Sequence, residues 1–167
     1  MIRSFLLIAI LLATIPAHAV EFSWQQNGNR ASLAEYRGQP LILHFWASWC
    51  PPCRQELPQI DRWKRAHPKV HLVAISLDDS TMDARQFLHQ HHLSLPAWIA
   101  DPRQATRLGI RALPTTILID ANGDIQQRIV GARDWDDKAF SDQLLAWIRN
   151  HQPKPTVATQ YPARKWL

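Results

Sequence analysis

Apolar and polar positions divide the chain into short, distinct blocks. Leu41 to Trp46 reads LILHFW, a compact apolar run interrupted only by His44. Such a run fits a strand covered on both faces, as in a parallel sheet. From Cys50 to about Ala66 the period changes. Leu57, Ile60 and Trp63 fall on one side of a predicted helix, and Pro58 inside it should kink it. Val70–Leu77 reads as a second strand, after which Asp78, Asp79, Ser80 and Thr81 offer caps for a helix over Met82–His91. Ala97–Ala100 is a short apolar piece. Asp101-Pro102 opens a brief helix over 103–108, which Gly109 ends. Thr115–Ile119 and Ile125–Val130 read as strands joined across Asn122-Gly123, a strong hairpin signal. Asp134–Asn150 closes the series as an amphipathic helix carrying Phe140, Leu144, Leu145 and Ile148. Residues 21–40 look polar and irregular, with turns at Gly28 and Gly38-Gln39-Pro40 and one capped helical turn at Ser32–Glu35.

The resulting order is β-α-β-α-(α)-β-β-α. Crossovers make the early strands parallel, and the late hairpin makes the last pair antiparallel. The fold class is therefore α/β: a mixed central sheet with helices on both faces. Residues 20–150 form one domain. Ahead of it, Arg3, the apolar run Phe5–Ile15 and Ala17-His18-Ala19 have the form of a cleavable signal peptide over 1–19. The run is short for a membrane span, although an uncleaved segment would anchor the chain. Export is expected, into a periplasmic or otherwise oxidising compartment. Residues 151–167, Pro-rich and basic, read as a flexible tail.

Composition then removes several classes. With 46% hydrophobic and 20% charged residues, the chain is ordinary globular material. Its formal charge of +5 is scattered along the chain, so no nucleic-acid partner is expected. Losing residues 1–19 removes one arginine and no acid, leaving +4. No Walker-type phosphate loop is present. The two cysteines, Cys50 and Cys53, exclude both a disulfide-stapled scaffold and a four-cysteine zinc site.

Those two cysteines carry the chemistry. Trp49-Cys50-Pro51-Pro52-Cys53 follows a buried strand and opens a helix. Cysteines three apart on a first helical turn bring their sulfurs within bonding distance. Cys50 stands at the N-cap, where the helix dipole and free N–H groups favour a thiolate, so it is the expected attacking group. Cys53, one turn in, is the expected resolving thiol. Pro51 and Pro52 suit the first helical positions and stiffen the loop. A purely structural disulfide would close so short a loop that it stabilises little, which favours a redox-active pair.

In this context the sequence resembles the thioredoxin superfamily, and within it the exported TlpA/ResA-like thiol–disulfide oxidoreductases. LILHFWASWCPPCRQELP (41–58), LGIRALPTTILID (108–120) and the lead-in SLAEYRGQP (32–40) carry the resemblance. It implies a thioredoxin-like fold and an activity that needs no cofactor beyond the Cys50–Cys53 disulfide. It also implies a cis bond at Leu113-Pro114, which sets the backbone of Leu113 beside Cys50 to hold an extended substrate segment. Trp49, Pro51, Pro52, Leu113 and Pro114 are thus the candidate substrate-binding residues. The resemblance links an acid at Glu56 to proton transfer at the buried cysteine, a general-base role that burial would assist. A solvated charge beside Arg54 is the plainer alternative for Glu56. His44 departs from the family pattern. It is open to two readings: a proton relay or thiolate-stabilising cation, or a core histidine satisfied by a backbone carbonyl. Trp46 is assigned to the core and Trp49 to the partner surface.

The resemblance further implies protein disulfide substrates in the cell envelope, such as apocytochrome c thiols, and a membrane thiol-transfer protein as electron donor. A monomer is expected. An oxidase or isomerase direction stays open, because CPPC alone does not set the potential. A thioredoxin-like copper-binding protein is the alternative from another class. The CxxC spacing and the lack of any histidine between His92 and His151 argue against it. His89 and His92 lie one helical turn apart without a third ligand, so no metal is expected.

Overall fold

The computed structural model describes residues 21–153. The expected signal segment and most of the expected tail lie outside them. Seven strands run in the order β2-β1-β5-β4-β3-β6-β7. They are β1 (Ser23–Gln26), β2 (Asn29–Ser32), β3 (Leu41–Trp46), β4 (His71–Ser76), β5 (Trp98–Ile99), β6 (Thr115–Ile119) and β7 (Ile125–Val130). Strand β3 lies parallel to β4, and β4 to β5, while β6 and β7 are antiparallel additions on the other side. The helices are α1 (Pro51–Ala66), α2 (Thr81–Gln90), α3 (Pro102–Arg107) and α4 (Lys138–Asn150). The expected thioredoxin-like architecture, a mixed sheet with helices on both faces, is present.

Alternation along β3 splits the interior in two. Ile42 and Trp46 join α1, α2 and α4 through Leu57, Ile60, Trp63, Phe87 and Leu144. Leu41, Leu43 and Phe45 face the opposite layer, where Leu33, Ala105 and Leu108 cover the sheet. Every residue of β3 is buried, including His44 within its otherwise apolar run.

Two boundaries depart from the sequence reading. Residues 21–40 are not irregular. They contain the β1–β2 hairpin, followed by a 3-10 turn at Leu33–Tyr36 whose capping box joins Ser32 and Glu35. Asn27 and Gly28 both take positive φ (51° and 82°), the backbone of a two-residue hairpin turn. Strands of four residues give too little alternation to stand out from a polar stretch. Their inward residue Trp24 is buried only by tertiary packing. The second departure concerns the last helix, which starts at Lys138 rather than Asp134. The Asp137 carboxylate accepts hydrogen bonds from Ala139 and Phe140 N–H and so fixes the cap there. Residues 134–137 instead form a loop that delivers Trp135 to the core.

Candidate active site

The site sits at the end of β3 where the chain turns into α1. Cys50 and Cys53 form a disulfide. Cys50 is the N-cap residue, and Pro51 and Pro52 occupy the first helical positions. The Cys53 N–H donates to Cys50 Sγ at 3.4 Å, so the helix terminus already directs a donor at that sulfur. Cys50 keeps 4% of its surface and Cys53 none. Of the two, Cys50 is the one that reaches the surface, and it also lines the outer groove.

Two serines and an aspartate fix the loop ahead of Cys50. Ser48 N–H donates to both oxygens of Asp78 at 3.1 Å, and Ser48 Oγ donates to Oδ1 at 2.8 Å. Ser76 Oγ, at the end of β4, donates to Asp78 Oδ2 at 2.6 Å. Leu77 N–H bonds to Trp46 O at 2.8 Å, tying the same two strand ends.

On the inner side Glu56 is 2% exposed, so the solvated alternative for this residue does not hold. It lies three residues beyond Cys53 on α1, on the same buried face. Its Oε1 accepts from Trp135 Nε1 at 2.5 Å and from Arg133 N–H at 3.2 Å, while Oε2 has no partner among the described residues. Burial pushes its carboxyl pKa up, against the lowering effect of these two donors and of the Arg133 charge. A raised carboxyl one turn along α1 from Cys53 is a candidate proton acceptor.

His44 stands on the same side of the sheet, edge-on to Trp135 with ring centroids 6.0 Å apart. Its Nδ1 lies 3.0 Å from Thr116 Oγ1 on β6. The partner is a hydroxyl rather than the backbone carbonyl expected from sequence, because β3 and β6 place His44 directly opposite Thr116. Burial lowers its pKa to about 3, which removes the cationic reading near neutral pH.

Outward, the disulfide opens into a groove of about 910 Å³. Trp49, Cys50, Pro51, Pro52 and Leu113 line it, with Ile110 and Arg111 along the far wall. Trp49 is 66% exposed, whereas Trp46 is core. Leu113-Pro114 is cis, as the resemblance implied. Among the described residues no backbone–backbone hydrogen bond engages Leu113, whereas Pro114 O accepts from Gly131 N–H at 2.8 Å. Arg54 is set apart, its guanidinium 5.6 Å from the Phe87 ring centroid.

The residues that sequence reasoning missed are Trp135, Thr116 and the Ser48–Asp78–Ser76 cluster. Trp135 carried a faint signal, as an aromatic inside the acidic segment Asp134–Asp137. Thr116 and the Ser48–Asp78 pair had none, because His44 lies 72 positions from Thr116 and Ser48 lies 30 from Asp78.

Comparison with known proteins agrees with this geometry. The family described as Redoxin matches residues 13–144. The thiol–disulfide oxidoreductase ResA of Geobacillus kaustophilus is 31% identical over 114 residues, covering 66% of each chain. The match therefore spans about two thirds of that relative's length. The sporulation thiol–disulfide oxidoreductase A of Bacillus subtilis is 35% identical over 117 residues, covering 66% of this chain and 67% of the relative. Among solved structures, StoA from Bacillus subtilis superposes with a TM-score of 0.62 at 30% identity, covering 79% of this chain and 98% of that one.

Proposed function

Because the chain belongs to the Redoxin family, among the thioredoxin-like thiol–disulfide oxidoreductases, we propose that it is an exported reductant of selected cell-envelope protein disulfides. The observation that carries the reading is the placement of the Cys50–Cys53 disulfide at the start of α1, opening to a groove flanked by an exposed Trp49 and the unpaired backbone of Leu113.

In the reduced protein the Cys50 thiolate attacks one sulfur of a substrate disulfide. The Cys50–substrate bond forms, and the other substrate sulfur leaves as a thiolate that takes up a proton. Cys53 gives its proton to Glu56 and attacks Cys50 Sγ. The mixed disulfide breaks, the second substrate thiolate leaves and is protonated, and Cys50–Cys53 re-forms. One protein dithiol is oxidised and one substrate disulfide reduced. A membrane thiol-transfer protein then returns two electrons and two protons. Trp49 and Leu113 hold the substrate segment, the latter by strand-like hydrogen bonds. The signal-like segment at residues 1–19 supports export, and the protein acts as a monomer in this reading.

The deciding experiment is the reduction potential of the Cys50–Cys53 couple, equilibrated with a defined thiol buffer. A value at or below about −250 mV is expected of a reductant, whereas one near about −120 mV makes the protein an oxidant and overturns the direction. Cys53→Ser should trap a Cys50 mixed disulfide with envelope proteins, and Cys50→Ser should trap none.

A further inference from the structure

Asp78 is a buried carboxylate that the exchange chemistry does not use. Residues Ser48 and Ser76 supply three donor groups to its two oxygens, and its own N–H donates to Ser76 Oγ at 2.9 Å. It is 3% exposed, and its two side-chain oxygens accept all the hydrogen bonds from Ser48 and Ser76. Its position matters. Ser76 pairs with Trp46 at the active-site end of the sheet, and the bonded Ser48 N–H lies two residues before Cys50. Two residues of chain span at most about 7 Å. The carboxylate is therefore fixed within roughly 10 Å of the Cys50 backbone, on the side shielded from water.

We propose that Asp78 is the positioning residue that sets the redox poise of the couple. It anchors the loop bearing Cys50, and its fixed negative charge restrains ionisation of the Cys50 thiol. A dithiol that is poorly stabilised as a thiolate releases its electrons readily, which makes the couple reducing. This inference rests on the reductant reading given above, and it supplies a physical cause for that direction. Other charged groups around Cys50 are solvent-facing: Asp79 and Arg111 on the groove walls, and Arg54 on α1. On the inner side, Glu56 and neutral His44 contact Trp135 rather than the loop.

Asp78→Asn keeps an oxygen acceptor for Ser48 and a polar group for Ser76 but removes the charge. The test reads two quantities: the pH midpoint of Cys50 alkylation by iodoacetamide in reduced protein, and the equilibrium constant with glutathione. At roughly 10 Å with an effective dielectric constant of about 20, the variant's midpoint should fall by about one unit. The equilibrium should move about tenfold toward the dithiol, about 30 mV. The matched control is Asp120→Asn. That carboxylate is also buried and accepts from Asn122 N–H, Asp124 N–H and Gln126 Nε2, but it follows Ile119 at the opposite end of the sheet. It should move neither quantity. An Asp78→Asn protein that exchanges disulfides with an unchanged midpoint and potential overturns the inference while leaving the oxidoreductase reading intact. Absence of exchange in the unsubstituted protein defeats that reading instead. Should Asp78→Asn not fold, Ser48→Ala carries the test. It strips one donor from the anion and leaves the charge, so the midpoint must rise, and no shift or a fall overturns the inference.

Discussion

The bond from Trp135 to Glu56 yields a quantitative prediction for Trp135→Phe. The phenyl ring keeps an aromatic face beside His44 but removes the indole N–H that reaches Glu56 Oε1 at 2.5 Å. Two costs follow. Ring truncation in a fully buried site costs about 1 to 2 kcal/mol. Loss of a donor to a buried carboxylate costs about 1.5 to 3 kcal/mol, since only the Arg133 N–H remains on that group. The second cost depends on pH, and its sign is fixed by the direction of the Glu56 shift. Burial raises Glu56, so the native state binds its proton more tightly than the unfolded chain does. That contribution favours folding below the unfolded carboxyl pKa and is lost as pH rises through the raised native value. At pH 3.5 Glu56 is therefore protonated, and the missing bond costs what a neutral one does, about 0.5 to 1.5 kcal/mol. Urea unfolding of oxidised protein should show the variant less stable by about 3 to 4 kcal/mol at pH 7.5 and by about 1 to 1.5 kcal/mol less than that at pH 3.5. In a Glu56→Gln background the cost should not vary with pH. An identical penalty at both pH values would falsify the view that the indole stabilises a charged carboxylate.

Three further outcomes are expected. His44, lowered to about 3 by burial, resists protonation in the native state, so it contributes stability above about pH 6.5 that is lost as pH falls toward 3. His44→Gln should remove a loss of about 1.4 kcal/mol per pH unit between 6.5 and 4, visible as a flatter plot of urea midpoint against pH. Trp49→Ala removes an exposed ring, so stability should change by less than about 0.5 kcal/mol. Its kcat/KM should fall roughly tenfold on protein disulfides and hold steady on a small aromatic disulfide; equal loss on both substrates contradicts a docking role. Asp61, buried on α1, accepts from Ser94 N–H at 2.9 Å and pairs with Arg65 at 3.2 Å. Asp61→Ala should cost about 1 to 3 kcal/mol in urea unfolding by leaving that N–H unpaired, and a neutral result refutes the assignment.

Features governed by local physics can be read directly from the residues. LILHFW could be little other than a strand covered on both faces, and Cys50-Pro-Pro-Cys53 after it fixes a helix start with two sulfurs on one turn. Thr115–Ile119 and Ile125–Val130 were legible to the residue, because a turn at Asn122-Gly123 separates two apolar-rich segments. Those features place the disulfide and, through resemblance, the cis Leu113-Pro114 bond beside it. The β1–β2 hairpin was not legible, since four-residue strands carry too few alternations. Nor was the start of α4, where competing aspartates leave the cap position open. What each buried polar group meets depends on the folded arrangement. Glu56 and Trp135 are 79 residues apart, His44 and Thr116 72, and Ser48 and Asp78 30. A hydrogen bond has no signature in local periodicity, and its partner is set by sheet register and helix packing. The residues thus mark the cysteine pair, while the carboxylates, indole and imidazole packed near it acquire their surroundings only when the fold closes.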